Sequence, residues 1–408
     1  MAERHPGVPA DSFPHDEDVT SAPGALVVGG DYRGLGIVRS LGRRGIPVWV
    51  LGDDHLIAGT SRYAGRRLSW PHRGDDATKI AFLLDLAMRH DVDGWVVFPT
   101  GDETAALLAR HYDVLRRWFR LTVPPWDILR WAYDKRLTHQ LAADVGVDYP
   151  RTFYPESRRD LATPKCRFPV ILKPTVKKGF NRFTHAKAWR ADDVKALLSG
   201  YDAAREMVSA EVIMVQELIP GGGETQFSFA ALCQDGDPLA SVTARRTRQY
   251  PVDFGRASTF VETVACADVE EPSRRLLAAM RYTGLVEIEF KLDPRDGRYK
   301  LLDLNPRAWG WHALGRRAGV DFPYLAWQLT RGETVPKLRG RPGARWIRLI
   351  ADLPAAVTEI RHGRLSPATY LRSLRGSLEF ATFAFDDPLP ALMDVPLLCY
   401  LAWRRGAI

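Results

Sequence analysis

The chain has 408 residues, a net charge of +8, 46% hydrophobic residues and 26% charged residues. This length accommodates two or three domains, and the composition is ordinary for a soluble globular protein. No stretch reaches the roughly 18 apolar residues of a membrane span, and we expect no secretory signal. The positive charge fits acidic ligands such as nucleotides as well as it fits an arginine-rich source proteome.

The composition also argues against two kinds of site. The four cysteines are scattered and form no CxxC pair. We therefore expect neither a disulfide framework nor a zinc site, but the reduced thiols of a cytoplasmic protein. No Lys/Arg-rich run carries the interleaved aromatic residues of a nucleic-acid groove, so no nucleic-acid partner is expected.

The first part of the chain predicts a parallel α/β domain. Residues 1–22 are polar, rich in proline and without periodicity, which predicts a disordered tail. The buried-strand run Ala25–Val28 then leads through a Gly-rich loop and a helix to a strand at 46–51, which is a βαβ unit. A further helix and a strand at 94–98 complete a domain over residues 23–123. The loop pattern GGxxxGLG is not GxGxxG, so a dinucleotide site is an alternative that rests on a loose motif.

A Pro-Pro pair at 124–125 marks the next boundary, and helical spacing predicts one helix over residues 126–144. The strands predicted after it are, in order, 168–174, 212–220, 227–232 and 238–244. An arginine-rich run at 245–248 follows, and such runs usually lie on a solvated face. The loop at 175–182 holds one glycine and three cationic side chains.

The most informative stretch, Gly284–Gly310, has the pattern of two strands joined by a turn. Glu287 and Glu289 alternate with apolar residues, so a period of two places both glutamates on one face. A hairpin centred on the turn sets Glu289 opposite Asp303 and Glu287 opposite Asn305. Directly opposed like charges destabilise a sheet, so this face calls for a counter-charge.

The returning strand continues the pattern. Asp303 and Asn305 are expected on the acidic face, and Leu302 and Leu304 on the opposite face. A set of oxygen ligands suits Mg²⁺ better than zinc. Arg307 brings a fixed guanidinium to the same place, which suits phosphate. The alternative is an ordinary hairpin with a solvated acidic face.

The segment resembles the metal-binding end of the ATP-grasp superfamily: a glutamate, thirteen residues, then an acidic residue, any residue and Asn-Pro-Arg. The resemblance is to its carbamoyl phosphate synthetase-like and D-aspartate ligase-like branch, which includes predicted carboxylate–amine ligases. It implies an ATP-grasp fold of α/β and α+β parts with an N-terminal Rossmann-like pre-ATP-grasp domain. The implied organisation is a tail at 1–22, the pre-ATP-grasp domain at 23–123, the ATP-grasp domain at 124–330 (small lobe about 126–220, large lobe about 221–330) and a C-terminal extension at 331–408.

The resemblance also implies roles for residues. Mg²⁺, with Mn²⁺ as an alternative, is expected on Glu289, Asp303 and Asn305, and catalytic contacts are expected from Arg307 and Arg256. For ATP, the resemblance implies that Lys135 and Lys173 contact phosphate and that Glu224 contacts the ribose. The adenine hinge is expected at Gln216, Glu217, Leu218 and Ile219. The apolar residues expected along the adenine slot are Val170, Leu172, Met214 and Ile219.

Two departures from the family pattern are visible. Asp303 stands where the family more often has Glu, which keeps the oxygen ligand but alters the metal spacing. The loop at 175–182 lacks the several glycines whose backbone N–H groups usually wrap phosphate.

The resemblance also implies that the first domain closes over the substrate, with Asp31, Arg33, Asp102 and Glu103 as candidate contacts. Capping of the helix N-terminus explains Asp102 and Glu103 equally well.

The implied activity is that of an ADP-forming ligase, in which ATP phosphorylates a carboxylate and an amine displaces phosphate. The expected partners are a small-molecule carboxylate and an amine, which the sequence does not name. Two alternatives stay open: a nucleotide-binding oxidoreductase built on the first domain, and a non-catalytic ATP-binding protein with an atypical loop.

The last apolar segment, 389–403, ends in Arg404-Arg405. Packing onto the domain is the favoured expectation for so short a run. Contact with a membrane surface or a partner is the alternative. A homodimer stays open.

Overall fold

The chain is described by a computed structural model over residues 23–52, 56–161, 167–176, 181–185, 188–251 and 257–404. The predicted tail at 1–22, Arg256 and much of the glycine-poor loop lie outside these ranges. Within them, the strands form three sheets. No helix of the described residues is long and apolar enough to cross a membrane.

The N-terminal part of the chain forms a five-stranded parallel sheet. Its strands are β1 (Ala25–Val28), β2 (Val48–Gly52), β3 (Arg66–Ser69), β4 (Val96–Pro99) and β5 (Arg120–Leu121), and its helices are α1 (Tyr32–Gly42), α2 (Asp76–His90), α3 (Asp102–Arg110) and α4 (Tyr112–Leu115). The strand order is β3-β2-β1-β4-β5. The helix α1 packs on one face, and α2 and α3 pack on the other. The sequence predicts β1, β2 and β4 but misses β3 and β5, because β3 is polar and β5 has two residues.

The second sheet is small and antiparallel. The elements of this part are α5 (Trp126–Tyr133), α6 (Lys135–Asp144), β6 (Thr152–Phe153), β7 (Val170–Pro174), α7 (Arg182–His185), β8 (Trp189–Ala191), α8 (Val194–Arg205) and β9 (Ile213–Glu217). The strand order is β6-β9-β7-β8. Apolar residues of α8 pack against β7 and β9 to form the core of this lobe.

The helix predicted over residues 126–144 is wrong as a single element. Asp134 has an extended backbone with ψ 115°, and its side chain accepts a hydrogen bond from the backbone N–H of Arg136 at 2.9 Å. An aspartate in this role begins a new helix, so the pattern breaks into α5 and α6. Ala132, Leu141 and Ala142 from these helices pack into the core of the third sheet, not into the small one.

The third sheet has eight strands and runs to the end of the described chain. Its elements are β10 (Gln226–Gln234), β11 (Asp237–Tyr250), β12 (Ala257–Thr263), α9 (Ala267–Met280), β13 (Gly284–Asp293), β14 (Arg298–Asn305), α10 (Leu314–Ala318), α11 (Phe322–Thr330), β15 (Leu338–Arg339), β16 (Arg345–Ile347), α12 (Leu349–Arg361), α13 (Pro367–Ser373), β17 (Leu378–Phe380) and α14 (Leu389–Arg404). The order is β14-β13-β10-β11-β12-β16-β17, and β15 pairs with β11. The strands β15 to β17 show that residues 331–408 continue this sheet.

The two faces of the large sheet bury different partners. One face packs against α5, α6 and α9. The other face packs against α1 and α11 in one continuous core, which holds Trp309 and Trp346. Because α1 belongs to the parallel sheet, this core fixes the N-terminal domain on the large sheet.

The arginine-rich run does not lie on a solvated face. It is part of β11, and Arg246 and Arg248 are both buried. Arg248 donates two hydrogen bonds to Asp352 of α12, at 2.9 and 2.8 Å, and Thr259 donates a third at 2.7 Å. This buried ion pair holds α12 on the sheet.

We predict that Asp352→Ala lowers the free energy of unfolding by about 3–5 kcal/mol, because it leaves the Arg248 guanidinium buried and unpaired. Chemical denaturation measures this change. The control is Asp85→Ala, which removes an exposed ion pair with Arg89 on α2 and should cost less than about 1 kcal/mol. Equal losses in the two variants would contradict the assignment.

Candidate functional site

The acidic hairpin forms with the predicted register. In the ladder between β13 and β14, Glu287 lies opposite Asn305 and Glu289 lies opposite Asp303. Both pairs face the same side of the sheet. Ile288 and Phe290, which alternate with the two glutamates, point to the opposite side and are buried in the core. The pairing confirms the expectation that one face of the hairpin collects three carboxylates and an amide.

A β-bulge interrupts the regular alternation of β14. The register shifts between Glu289 and Phe290, so that Phe290 pairs with Leu301 and Leu302 becomes the extra residue. Leu301 and Leu304 enter the core, while Leu302 lines a cavity together with Asp303. The prediction that Leu302 faces away from the acidic side is therefore wrong, since strict alternation does not anticipate an extra residue.

Cationic side chains supply the counter-charge that the sequence calls for. The Lys135 ammonium lies 2.5 Å from Asp303 Oδ1, and the Arg246 guanidinium lies 3.3 Å from Glu289 Oε2. Arg307 donates a hydrogen bond to Asn305 Oδ1 at 3.2 Å. These three cations come from α6, β11 and the segment after β14, so the acidic face joins three parts of the fold.

Glu287 lies deepest on the acidic face. Its carboxylate accepts hydrogen bonds from Trp311 Nε1 at 2.8 Å and from Asn305 Nδ2 at 3.1 Å. Burial, followed by the neighbouring Glu289 carboxylate, raises the pKa of Glu287 to about 7, although Arg246 lowers it. The raised pKa of Glu287 therefore follows first from its depth in the structure and then from the neighbouring carboxylate.

A cavity of about 490 Å³ lies between the small sheet and the hairpin. The predicted site residues that line it are Lys173, Gln216, Glu217, Leu218, Ile219, Glu289 and Asp303. Lys135 and Asn305 line an adjoining small pocket, which shares Asp303 with the cavity. Glu224 does not line the cavity; its carboxylate accepts a hydrogen bond at 2.9 Å from the backbone N–H of Gly222, which does.

The apolar wall of the cavity differs from the predicted adenine slot. Val170 and Leu172 point into the core of the small lobe, so that part of the prediction is wrong. The strand alternation instead turns Ile171 and Lys173 of β7 to the cavity, and Leu302 joins them from the hairpin. Lys173 lies 3.4 Å from the side-chain oxygen of Gln216.

The strand β9 ends in a backbone hinge that borders the cavity. The Leu218 N–H donates to the Pro169 carbonyl at 3.0 Å. Among the described residues, no hydrogen bond takes up the Ile219 N–H, and Ile219 lines the cavity. The Ile219 N–H can therefore donate a hydrogen bond to the edge of a ligand in the cavity.

Glu217 ties the small sheet to the hairpin turn. Its carboxylate accepts a hydrogen bond from the backbone N–H of Arg151 at 3.0 Å and lies 3.3 Å from the Arg295 guanidinium. Arg295 and Lys300 also contact Asp293, at 2.5 and 2.6 Å. Hydrogen bonds from Arg295 hold the pKa of Asp293 well below its usual range. We call these four side chains, Glu217, Asp293, Arg295 and Lys300, the clasp.

His139 lies behind the two lysines of the site. Its ring stacks on Tyr149 with 4.8 Å between centroids, and Nδ1 lies 2.8 Å from the Tyr154 hydroxyl. Burial, followed by Lys173 and Lys135, lowers the pKa of His139 to about 3. A neutral imidazole at this place adds no repulsion to the two ammonium groups.

The loops of the N-terminal domain reach the site at one point. Asp102 lies 2.8 Å from Arg307 Nε, which places this candidate against the predicted phosphate arginine. Asp31 and Arg33 pair with each other at 2.6 Å. Although burial raises the pKa of Asp31, Arg33 holds it down to about 2. Glu103 lines a separate cavity of about 730 Å³ between α2, α3 and α5.

The glycines of the first loop are used for packing. A Cβ at Gly29 would meet the Thr100 side chain, and one at Gly36 would meet the His312 ring at 2.7 Å. The ring of His312 bonds to the Arg33 carbonyl at 2.9 Å. These two glycines thus allow close packing of Thr100 and His312, which is a structural role that does not require a bound dinucleotide.

The candidate metal ligands fit a hard divalent cation. Glu289, Asp303 and Asn305 offer oxygen donors from facing positions of one ladder, and Mg²⁺ prefers such donors. Among the described residues, no three His, Cys, Asp or Glu side chains form a metal-binding group by themselves. The set is therefore two carboxylates and an amide, and a bound cation would compete with Lys135 and Arg246 for the carboxylates.

The clasp partners Arg295 and Lys300 and the buried His139 were not predicted from the sequence. Arg295 lies in the hairpin turn, for which only the turn itself was predicted. Its signal was available, since an Asp-x-Arg pattern two residues apart on a turn allows an ion pair. Nothing local marks His139, whose role depends on the two lysines that folding brings near it.

We predict that His139→Gln reduces the pH dependence of stability. The folded chain takes up a proton on His139 only near pH 3, whereas the unfolded chain does so near pH 6.5. The stability that the neutral ring contributes is thus complete above pH 6.5 and is lost as the pH falls toward 3. Between about pH 6 and pH 4 the wild-type slope should exceed that of the variant by up to about 1.4 kcal/mol per pH unit.

Urea denaturation at several pH values gives these slopes. Exposed His72→Gln is the control and should keep the wild-type slope. A His139→Gln slope equal to that of the wild type would show that the ring is not held neutral.

Comparison with known proteins finds similar sequences and similar folds. Residues 209–347 match the family model described as "ATP-grasp in the biosynthetic pathway with Ter operon". The carbamoyl phosphate synthase large chain of Myxococcus xanthus (strain DK1622) is 23% identical over 416 residues. That match covers 90% of this chain and 37% of the relative, so the chain spans well under half of that protein's length.

Solved structures agree on the fold. The L-amino acid ligase from Bacillus licheniformis matches with a TM-score of 0.59 and 16% identity, over 76% of this chain and 75% of that chain. The N5-carboxyaminoimidazole synthetase from Staphylococcus aureus matches with a TM-score of 0.59 and 13% identity, over 78% and 79%. The biotin carboxylase from Campylobacter jejuni matches with a TM-score of 0.59 and 14% identity, over 76% and 72%. The chain therefore has the fold of these ATP-grasp structures, and its residues 209–347 match an ATP-grasp family model, in agreement with the resemblance found in its sequence.

Proposed function

We propose that this protein is an ATP- and Mg²⁺-dependent ligase that activates a carboxylate as an acyl phosphate and joins it to an amine. The observation that carries the proposal is the cavity of about 490 Å³ into which Lys173, the β9 hinge and the acidic hairpin all open. The solved structures of similar fold include an L-amino acid ligase, which supports the reaction class.

The cavity offers a suitable surface for each part of ATP. The adenine lies against Ile171 and Leu302, and its edge meets the backbone of the hinge at Glu217–Ile219. The carboxylate of Glu224 bonds the Gly222 turn at the edge of the cavity, and its contact with the ribose stays a prediction. Lys173 then faces the phosphates from the small lobe as a point charge.

The phosphate end of the site holds the chemistry. Glu289, Asp303 and Asn305 would hold Mg²⁺, or Mn²⁺ with the same oxygen donors, and the cation would neutralise phosphate charge there. Lys135 and Arg307 lie beside these ligands and stabilise the charge that develops on the transferring phosphoryl group. Arg256 lies outside the described residues, and its role at the acceptor stays a prediction.

The reaction needs no nucleophilic side chain. A substrate carboxylate oxygen attacks the γ-phosphorus and ADP leaves; the amine then attacks the acyl carbon, phosphate leaves and the amine loses a proton. Positioning and charge stabilisation account for most of the catalysis in such phosphoryl transfers. We expect small-molecule substrates and a cytoplasmic location, and we keep a homodimer as a prediction.

Two alternatives have less support. An oxidoreductase would bind its dinucleotide at the first Gly-rich loop, where Thr100 and His312 fill the space beside the glycines. A non-catalytic ATP-binding protein would retain the cavity but give no turnover. Retained NAD or FAD absorbance in the purified protein would favour the oxidoreductase.

We predict that Lys173→Met weakens ATP binding by about tenfold or more, about 1.4 kcal/mol, because it removes a buried cation that faces the cavity. Isothermal titration calorimetry measures the binding. The control is Lys195→Met, which removes an exposed lysine of the same lobe and should leave the affinity unchanged. An unchanged affinity in Lys173→Met would remove this lysine from the ATP site.

We predict Mg²⁺-dependent release of ADP from a pooled panel of carboxylic acids and amines, and its loss in Glu289→Ala. The variant removes a metal ligand on an otherwise intact ladder, so a fall of at least about a hundredfold is expected. Coupled detection of ADP measures the rate, with chelation of the metal as a second control. ATP binding without turnover in any pool would favour the non-catalytic alternative, and no ATP binding would refute the proposal.

A further inference from the structure

The C-terminal helix α14 has an unusual distribution of its side chains. Its exposed residues are Leu389, Leu392, Val395, Pro396, Cys399 and Tyr400, whose spacing of three and four places them on one face. Leu392 is 70% exposed and Val395 is 55% exposed. Just before the helix, Phe385 is 94% exposed. The side that points outward is therefore apolar along the described length of the helix.

The inward side of the helix is also mostly apolar. Pro390 is buried, and Met393, Leu397 and Leu398 are half-buried; Leu397 packs against the core that α1 shares with the large sheet. Asp394, the one acidic residue of α14, is 2% exposed. A helix that only packed on a domain would turn polar and charged residues outward. The outward side of α14 is apolar instead, so it is suited to an apolar environment.

The helix is held firmly in this orientation. Asp387, two residues before α14, forms a buried ion pair with Arg39 at 2.9 Å. It also accepts hydrogen bonds from the Ser61 hydroxyl at 2.7 Å and from the Arg62 N–H at 2.9 Å. These contacts fix the start of α14 on the N-terminal domain, so the outward apolar face is a property of the folded chain.

Basic side chains flank the apolar face. Arg62 is exposed beside the start of α14, where its guanidinium donates to the Asp386 carbonyl at 3.3 Å. Arg67 is exposed and packs on Gly59, in the turn that α14 contacts. In the sequence, Trp403 is followed by Arg404 and Arg405. Residues 331–408 hold twelve Lys and Arg against seven Asp and Glu, a net charge of +5 out of +8 for the chain.

We propose that the α14 face is a docking surface for an anionic lipid bilayer, on which the helix lies in the plane of the membrane. An apolar helix face with cationic flanks fits the boundary between acyl chains and anionic headgroups. A second copy is a poorer occupant, because a two-fold contact would set each basic flank near another basic flank.

Vesicle flotation of the full chain tests the proposal. We expect the wild type to bind vesicles of phosphatidylcholine with about one third phosphatidylglycerol, and to bind pure phosphatidylcholine far less. Leu392→Asp should reduce the partition coefficient at least about tenfold, because it places a charge in the acyl boundary. Arg67→Glu should reduce binding to the anionic vesicles, and raised salt should weaken binding by the wild type.

Met88→Asp is the matched control. Met88 is 64% exposed on α2, which packs on the opposite face of the parallel sheet from α1. The Met88→Asp variant should bind vesicles as the wild type does. All variants change exposed side chains, and ATP binding and thermal unfolding verify that they are folded.

Three outcomes would overturn the proposal. One is a wild type that does not bind the anionic vesicles. A second is an equal loss in Met88→Asp and Leu392→Asp, which would remove α14 as the contact. The third is a dimer by light scattering that Leu392→Asp converts to a monomer, which would assign the face to a second copy.

Discussion

The site depends on one electrostatic constraint: a two-stranded ladder places three carboxylates on a single face. Glu289 and Asp303 lie directly opposite each other, and Glu287 lies beside them with its pKa raised to about 7. Such a face is unfavourable unless cations come to it. In this fold the cations come from α6, from β11 and from the segment after β14. The hairpin thereby collects the residues of the proposed phosphate site, and the same charges that make it unfavourable alone are the basis of the proposed Mg²⁺ site.

The clasp connects this centre to the small lobe. Glu217 ends the strand that carries the hinge, and its carboxylate reaches Arg295 in the turn of the acidic hairpin. The hinge side and the hairpin side of the cavity are thus tied by a network of charges and not by a shared apolar core, since the small sheet has its own core. Charged contacts of this kind break and re-form more readily than packed side chains, which suits the nucleotide binding and lobe closure that the proposed function requires.

The sequence predicted those features that have a strong local signal. The alternation of acidic and apolar residues was sufficient to pair Glu287 with Asn305 and Glu289 with Asp303. The fold was predicted from the resemblance of several ordered motifs to the ATP-grasp superfamily. The bulge that turns Leu302 to the cavity was not predictable, because one extra residue leaves no mark in the alternation. The break at Asp134 was missed because the apolar spacing continues across it. The buried ion pair of Arg248 with Asp352 joins residues far apart in sequence, so a charge run that looked solvated is part of the interior.

The contribution of residues 331–408 to the large sheet has a consequence for how the sheet ends. Strand β12 carries the buried residues Phe260 and Val261 and is covered by β16, which is followed by β17. The outermost strand, β17, has three residues, and its central Glu379 lies 2.7 Å from Arg317. A short strand with a charge at its centre is a poor template for another chain. A fragment that ended at Thr330 would expose β12 as an apolar open edge, so the last eighty residues protect the protein from aggregation by strand addition.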